Sequence, residues 1–294
     1  MRIKDTFGDK VFNAIIYIIL ALLVLIVLYP LWLVVINSFS DTNAVSLGKV
    51  TIFPVGFNLD AYIETFRYGE VMTGYMNSLY YTIVGTVLSL LLTIPVAYTL
   101  SKKQLKGRGF LMGVFTLTMY FSGGLIPEYI LMRSLGLINT REVVLLCGGL
   151  SVYNMIVARS FFESGVPHEL EEAAEIDGCS QLQTFIRIVL PISKAMLGVI
   201  TLYYAVGRWN AFTPSLYYQP SADEYHSLQM VLRDLIMRAQ NAITIPGEDS
   251  IYYTELLTKI KYSVIVVASV PMLVIFPFVQ KYFDKGVMLG SVKG

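Results

Sequence analysis

The chain has 294 residues, 55% hydrophobic and 15% charged, with a formal net charge of +1 from 22 Lys+Arg against 21 Asp+Glu. A soluble domain carries about 25% charged residues, and the mean hydropathy of +0.62 points the same way, so the composition argues for a membrane protein and against a soluble enzyme. No basic excess is available for nucleic-acid phosphates. Two cysteines, Cys147 and Cys179, make no disulfide framework, and the two histidines, His168 and His226, lie in different segments with no His/Cys metal cluster around either.

A helix crosses a bilayer with about 20 apolar residues, and six stretches qualify: 11–36, 76–101, 110–132, 143–162, 191–213 and 261–282. The first runs from Val11 to Ile36 without a charge, interrupted by Pro30. Signal-peptide cores span only about 7–15 residues, so this run is expected to be an uncleaved anchor behind a short N-terminus, 1–10. Residues 37–75 then form an external loop, with NLDAYIETF (58–66) as a short amphipathic helix. The short loop SKKQLKGRG (101–109) after the second span is the clearest cytoplasmic signal. With six spans, 13 Lys/Arg lie on the side of the termini and nine on the other. Both termini, including the tail 283–294, are therefore expected in the cytoplasm. The second external loop, 214–260, contains SLQMVLRDLIMRAQ (227–240), in which Leu228, Val231, Leu232, Leu235 and Ile236 make one apolar helical stripe. That stripe suits a helix lying over the outer ends of the spans, or a surface that receives an external partner. The expected fold is an all-α polytopic membrane protein with a single six-helix domain, 11–282.

Transporters coupled to protons or ions usually bury an ionisable residue in a span. The cores of spans one, two, three, four and six read as free of Asp and Glu, while Lys194 and Arg208 lie towards the two ends of span five. No GxxxxGK[ST], HExxH, GxSxG or Ser/His/Asp set occurs. Energy for uphill movement must then come from another polypeptide, and no catalytic, cofactor or metal site is expected in this chain.

The segment between spans four and five, 163–191, breaks the basic trend of its side. From Ser160 to Ile186 it has no Lys or Arg, but holds Glu163, Glu169, Glu171, Glu172, Glu175 and Asp177. Pro167 suits the first turn of a helix, the following acids favour the positive end of its dipole, and Gly178 suits a left-handed C-terminal turn. A second helical stretch, Ser180–Leu190, runs into Pro191 and span five. Ala173 and Ala174 leave the first helix thin on one face, so another surface can approach its backbone. His168 and Cys179 flank it, His168 as a solvated helix-end residue; Cys147 and Cys179 lie too far apart to pair and are expected as free thiols.

The spacing EAA-x3-G-x9-I-x-LP, carried by Glu172, Ala173, Ala174, Gly178, Ile188, Leu190 and Pro191, resembles the signature loop of permease subunits of ABC importers. Asn77-Ser78, Ala97-Tyr98, LGLINT (135–140), Trp209-Asn210 and the C-terminal Gly290 and Lys293-Gly294 are similar to the carbohydrate-importing, maltose-type subgroup and to its smaller permease. The long Tyr-rich loops, such as YYQPSADEY (217–225), look most like its oligosaccharide- and polysaccharide-importing, alginate-type members. The resemblance implies the type I ABC importer permease architecture. In that architecture the 163–191 loop is a coupling helix docked on an ATPase subunit. The implied partners are a second permease, two ATPase subunits that bind ATP and Mg, and an external solute-binding protein delivering the sugar. Glu172 would anchor the helix, Ala173 and Ala174 would permit close packing, and Gly178 would fix the turn.

A sugar path needs amide and hydroxyl partners with aromatic faces. Asn77, Tyr80, Tyr81, Tyr120, Tyr153, Asn154, Tyr203, Tyr204, Trp209 and Asn210 are the candidates within or near the spans. Each also has an ordinary use, as an interfacial aromatic or an interhelical hydrogen bond. The competing classes are a secondary transporter or channel working without ATP, and a membrane scaffold for a cytoplasmic ATPase.

Overall fold

A computed structural model of the chain describes residues 7–244 and 260–277. Among these residues the regular structure is helical, with no strand. The chain divides into two units, Met1–Tyr68 with Leu235–Ser269, and Gly69–Asp234 with Val270–Gly294.

In the first unit, α1 (Phe7–Ser38) carries the expected anchor and extends it at both ends. Its 32 residues give about 48 Å of helix, more than the roughly 30 Å hydrocarbon core, and it is apolar on every face. Asp41 caps α2 (Thr42–Ser46) by accepting from the Asn43 and Ala44 amides. The expected 58–66 helix is α3 (Asp60–Arg67). Its Thr65 hydroxyl bonds Ser263 at 2.7 Å, and the Tyr62 hydroxyl bonds Ser38 at 2.7 Å.

The second unit is built around α4 (Gly69–Ser101), which begins well before the expected span two. It continues with α5 (Arg108–Tyr120), α6 (Leu125–Ser134), α7 (Glu142–Leu146), α8 (Val152–Gly165) and α9 (His168–Ile176). α10 (Gln181–Thr184), a π turn (Phe185–Val189) and α11 (Leu190–Ile192) lead into α12 (Lys194–Trp209) and α13 (Thr213–Tyr218). α4, α8 and α12 pack on one another through a core of Ile94, Ala97, Tyr98, Met155, Ala158, Phe162, Phe185, Val189, Met196, Ile200 and Tyr204. α14 (Leu228–Thr244) contains the stripe read from the sequence. Leu228 and Val231 turn it onto α4, where a Cβ on Gly74 would meet both at 3.0–3.2 Å. α15 (Ile260–Pro277) is the last described helix.

Three expected continuous spans are interrupted. Span three bends by 112° between α5 and α6, where Gly123-Gly124 allows the turn and Gly124 sits at φ 86°. Span four divides into α7 and α8 around Gly148 at φ 68°. Span five, expected over 191–213, is bent by 83° between Gln181–Ile192 and Lys194–Trp209. Among the described residues, three helices are long and apolar enough to cross a membrane, or five when each bent pair counts as one. The six-span count is therefore not reached by length and composition, because span four is split into pieces too short to qualify. The end of span six beyond 277 and the tail 283–294 lie outside the described residues, as does the N-terminus up to residue 6.

Candidate functional site: an exposed helix–turn–helix and the helix it leads into

α9 starts after Pro167, and its C-terminus closes with the full pair of Schellman bonds. The Cys179 amide donates to Ala174 O at 2.9 Å and the Gly178 amide to Glu175 O at 3.0 Å. Gly178 at φ 79° occupies the left-handed region that this turn requires. Ser180 then opens the return helix with a capping box, its side chain and that of Gln183 each bonding the other's backbone. Pro191 cannot donate an amide and crowds the carbonyl four residues back. Just before it the backbone widens into the π turn, and the Leu190 amide reaches Phe185 O, five residues away.

Of the seven motif residues, Glu172, Ala173, Gly178 and Pro191 are exposed, Ile188 and Leu190 are half-buried, and Ala174 is buried. The motif thus presents one face and packs with the other. The return segment is fixed on the core, since Phe185 stacks on Tyr98 of α4 at 4.7 Å and Val189 is buried.

The acid that ties α9 down is Glu171 rather than Glu172. Glu171 accepts from the Tyr98 hydroxyl at 3.1 Å and pairs with Lys102, whose ammonium lies 4.1 Å from the Tyr98 ring centroid. Its side chain is 15% exposed against 64% for Glu172; Glu172 lies 3.8 Å from the exposed His168 ring and is the more accessible of the two acids. Beside it, Glu163 pairs with both Arg108 and Arg159. Each arginine Nε donates to Leu100 O, at 2.9 and 3.1 Å, closing the last turn of α4 where the helix dipole favours cations. His168 is exposed, as expected. Both cysteines are free thiols.

The ten path candidates do not form one site. Asn77 is buried, donating to Glu224 O and His226 O at 2.8 and 3.0 Å and accepting from Arg141 at 3.2 Å. Tyr81 is buried and donates to Tyr225 O at 2.7 Å. Tyr204 is buried and bonded to Thr93, and Trp209 is buried with its ring edge-on to Tyr75 at 5.6 Å. Asn154 is buried near the start of α8. Tyr80, Tyr120, Tyr153 and Tyr203 are exposed. Asn210 is exposed and folds back to Val206 O at 3.0 Å.

A cavity of about 230 Å³ lies elsewhere, lined by Ser122, Glu128, Cys147, Thr213, Tyr217 and Tyr218 among others. None of the ten candidates lines it. Glu128 corrects the reading that the span-three core lacks an acid. It sits in α6, towards the C-terminal end of the expected 110–132 span, and lines the same cavity as Tyr218. Burial, and then the Glu128 carboxylate, push the Tyr218 phenol up to about 12, so it remains a neutral donor. The glycine pair at 123–124 and Pro127 were the local signals that the apolar run is broken there.

Span five also carries an arginine whose role the sequence did not disclose. Arg208 donates to Val144 O and Leu145 O at 3.0 Å each and to the Ser89 hydroxyl at 2.9 Å. It lies against Gly85, where a Cβ would come within 2.5–2.8 Å of its side chain.

A family model described as binding-protein-dependent transport system inner membrane component matches residues 69–289. Protein LplC of Bacillus subtilis (strain 168) is 38% identical over 269 residues, 92% of this chain and 90% of that one. The polygalacturonan/rhamnogalacturonan transport system permease protein YtcP of the same strain is 35% identical over 286 residues, 97% and 99% of the two chains. Among solved structures, a chain of a bacterial ABC transporter involved in the import of the acidic polysaccharide alginate superposes with a TM-score of 0.86. It is 31% identical, and the match covers 96% of this chain and 99% of that one.

Proposed function

Since the chain belongs to the family of inner-membrane components of binding-protein-dependent transport systems, we propose that it is the permease subunit of an importer that carries an oligosaccharide or polysaccharide across the cytoplasmic membrane. ATP hydrolysis drives the cycle and takes place on separate subunits that bind ATP and Mg; this chain is non-catalytic. It works beside a second, homologous permease, two ATPase subunits and an external solute-binding protein. It crosses the membrane six times, with α7 and α8 together making the fourth crossing and both termini in the cytoplasm.

The observation that carries this reading is the construction of 163–191. One face of α9 is exposed with Glu172 and Ala173, while the turn after it is fixed by backbone bonds and the return segment is packed on α4. Leu190 and Pro191 then pass into α12 through Ser193. Ser193 is buried, and its amide contacts both Val189 O and Leu190 O, at 3.0 and 3.1 Å. Phe185, Val189, Met196 and Ile200 share one core, so a push on α9 is delivered to α12 without slack, a rigid-body form of alternating access. The exposed acid and small residues suit a cleft on the ATPase subunit, with Glu172 as the anchor.

The test is reconstitution of this chain with its partner permease, ATPase subunits and binding protein in proteoliposomes. Sugar uptake that requires both ATP and the binding protein is the expected result. Uptake independent of ATP would assign a secondary transporter or channel, and ATP hydrolysis without sugar movement would assign a scaffold.

A further inference from the structure

The fourth crossing is discontinuous: α7 ends at Leu146 and α8 begins at Val152. A break at membrane depth leaves carbonyl and amide groups that hydrocarbon cannot satisfy, so it persists only where protein or a water-lined cavity meets it. Two side chains one turn apart on α12 meet it from both sides. Arg208 takes the end of α7 through Val144 O and Leu145 O. Tyr204 takes the start of α8, its hydroxyl accepting from the Ser151 amide at 2.9 Å. The same two reach α4 at residues also one turn apart, Arg208 bonding Ser89 at 2.9 Å and Tyr204 bonding Thr93 at 2.5 Å. An arginine inside a span is costly unless it finds partners; the two terminal nitrogens of Arg208 find them in α7 and α4, its buried Nε does not, and Gly85 leaves the side chain room to lie against α4.

The break itself has little internal structure. Cys147 N bonds Val143 O and Gly149 N bonds Leu146 O, Gly148 is left-handed, and Cys147 lines the cavity together with Glu128 and Tyr217.

We propose that Tyr204 and Arg208 are positioning residues that make the α7–α8 break move with α12, so that displacement of α9 by the ATPase reshapes the cavity at Cys147. This rests on the permease reading above. α12 is one 16-residue helix, joined to the coupling segment at one end and holding the break from its middle to its other end. A turn of glycines with few bonds of its own follows the side chains that clasp it.

Native Cys147 is the reporter. In the complete reconstituted complex, carrying Cys179→Ser so that Cys147 is this chain's only thiol, its rate of alkylation by N-ethylmaleimide is measured without nucleotide and trapped with ATP and vanadate, with uptake recorded alongside. The expected difference between the two states is about fivefold or more, the size of an ordinary coupling between sites. Arg208→Met removes that difference and lowers uptake about tenfold or more, as expected for losing several charge-assisted bonds, while ATP hydrolysis continues. Arg208→Lys, which keeps the charge but not the planar fork, restores part of both. Should Arg208→Met fail to reach the membrane, Tyr204→Phe, which removes one hydroxyl, decides by the same readout and is expected to shrink the difference. An unchanged Cys147 response in either variant, or ATP-driven uptake in the parent complex with no Cys147 response, overturns the proposal. A parent complex without ATP-driven uptake overturns the permease reading, and this proposal with it.

Discussion

The two ends of α12 are held by different kinds of chemistry. At Lys194 the helix continues from a segment whose backbone turns are set by near neighbours in sequence: a Schellman turn at Gly178, a capping box at Ser180 and Gln183, and a π turn ahead of Pro191. At Arg208 it is held by groups roughly 60 to 120 residues away, Val144, Leu145 and Ser89. One end is rigid because its backbone is satisfied locally. The other end is tied by long-range side chains to a break with few bonds of its own. A lever needs a stiff arm at the point of force and a compliant joint at the load, and α12 has one of each.

The largest expected effect lies at the stiff end. Gly178→Pro cannot reach φ 79° and removes the amide that bonds Glu175 O, costing about 3 kcal/mol or more in the turn. Uptake should be abolished with the chain still inserted, as followed by membrane fractionation beside transport. Ala174→Arg places a long charged side chain where a buried methyl packs under α9, and should abolish uptake equally. Normal transport by either variant would remove the lever from the account. Gly85→Ala comes next, at the compliant end: the added methyl collides with Arg208, and the variant should keep its ATPase partner while losing uptake severalfold. A loss of ATPase binding instead would place Gly85 on the stiff side of the comparison. Tyr98→Phe is the smallest. It removes one hydrogen bond to Glu171, worth about 1.5–3 kcal/mol to a charged acceptor, but keeps the stack on Phe185 and the contact with Lys102. A modest fall in uptake, reversed by no other change in the loop, is expected. A complete loss would mean that the Glu171 bond, rather than the aromatic stack, holds the return segment.

The same contrast decides what the sequence discloses. Gly178, Pro167, Ser180 and Pro191 act on their own backbone, so their spacing in the chain carries the geometry, and the turn and both helices are where they were expected. The apolar runs disclose the membrane class because hydrophobicity is summed over a window, and for that reason they conceal interruptions within it. Gly123-Gly124 and Gly148-Gly149 mark the breaks of spans three and four, yet a window average passes over two glycines. Glu171 and Glu172 are adjacent acids in the sequence; only the presence of Tyr98 and Lys102 beneath one of them separates the half-buried, tethered acid from the exposed one. Arg208 is equally opaque, since its partners come from two other helices. Asn77, Tyr81, Tyr204 and Trp209 have the chemistry a sugar needs, yet they make internal contacts, because a buried polar group in a span must find a partner whatever its function.

The claim that the coupling segment and α12 move as one body is tested most directly by a single distance. Spin labels at exposed positions of α9 and α12, Glu175→Cys and Tyr203→Cys, in a chain whose Cys147 and Cys179 are replaced by Ser, can be measured in the complete complex without nucleotide and trapped with ATP. Rigid-body motion keeps that distance constant to within about 2 Å across the two states, in a complex that still imports sugar. A change well beyond that in the same active complex would show that Ser193 is a hinge, and would contradict the account.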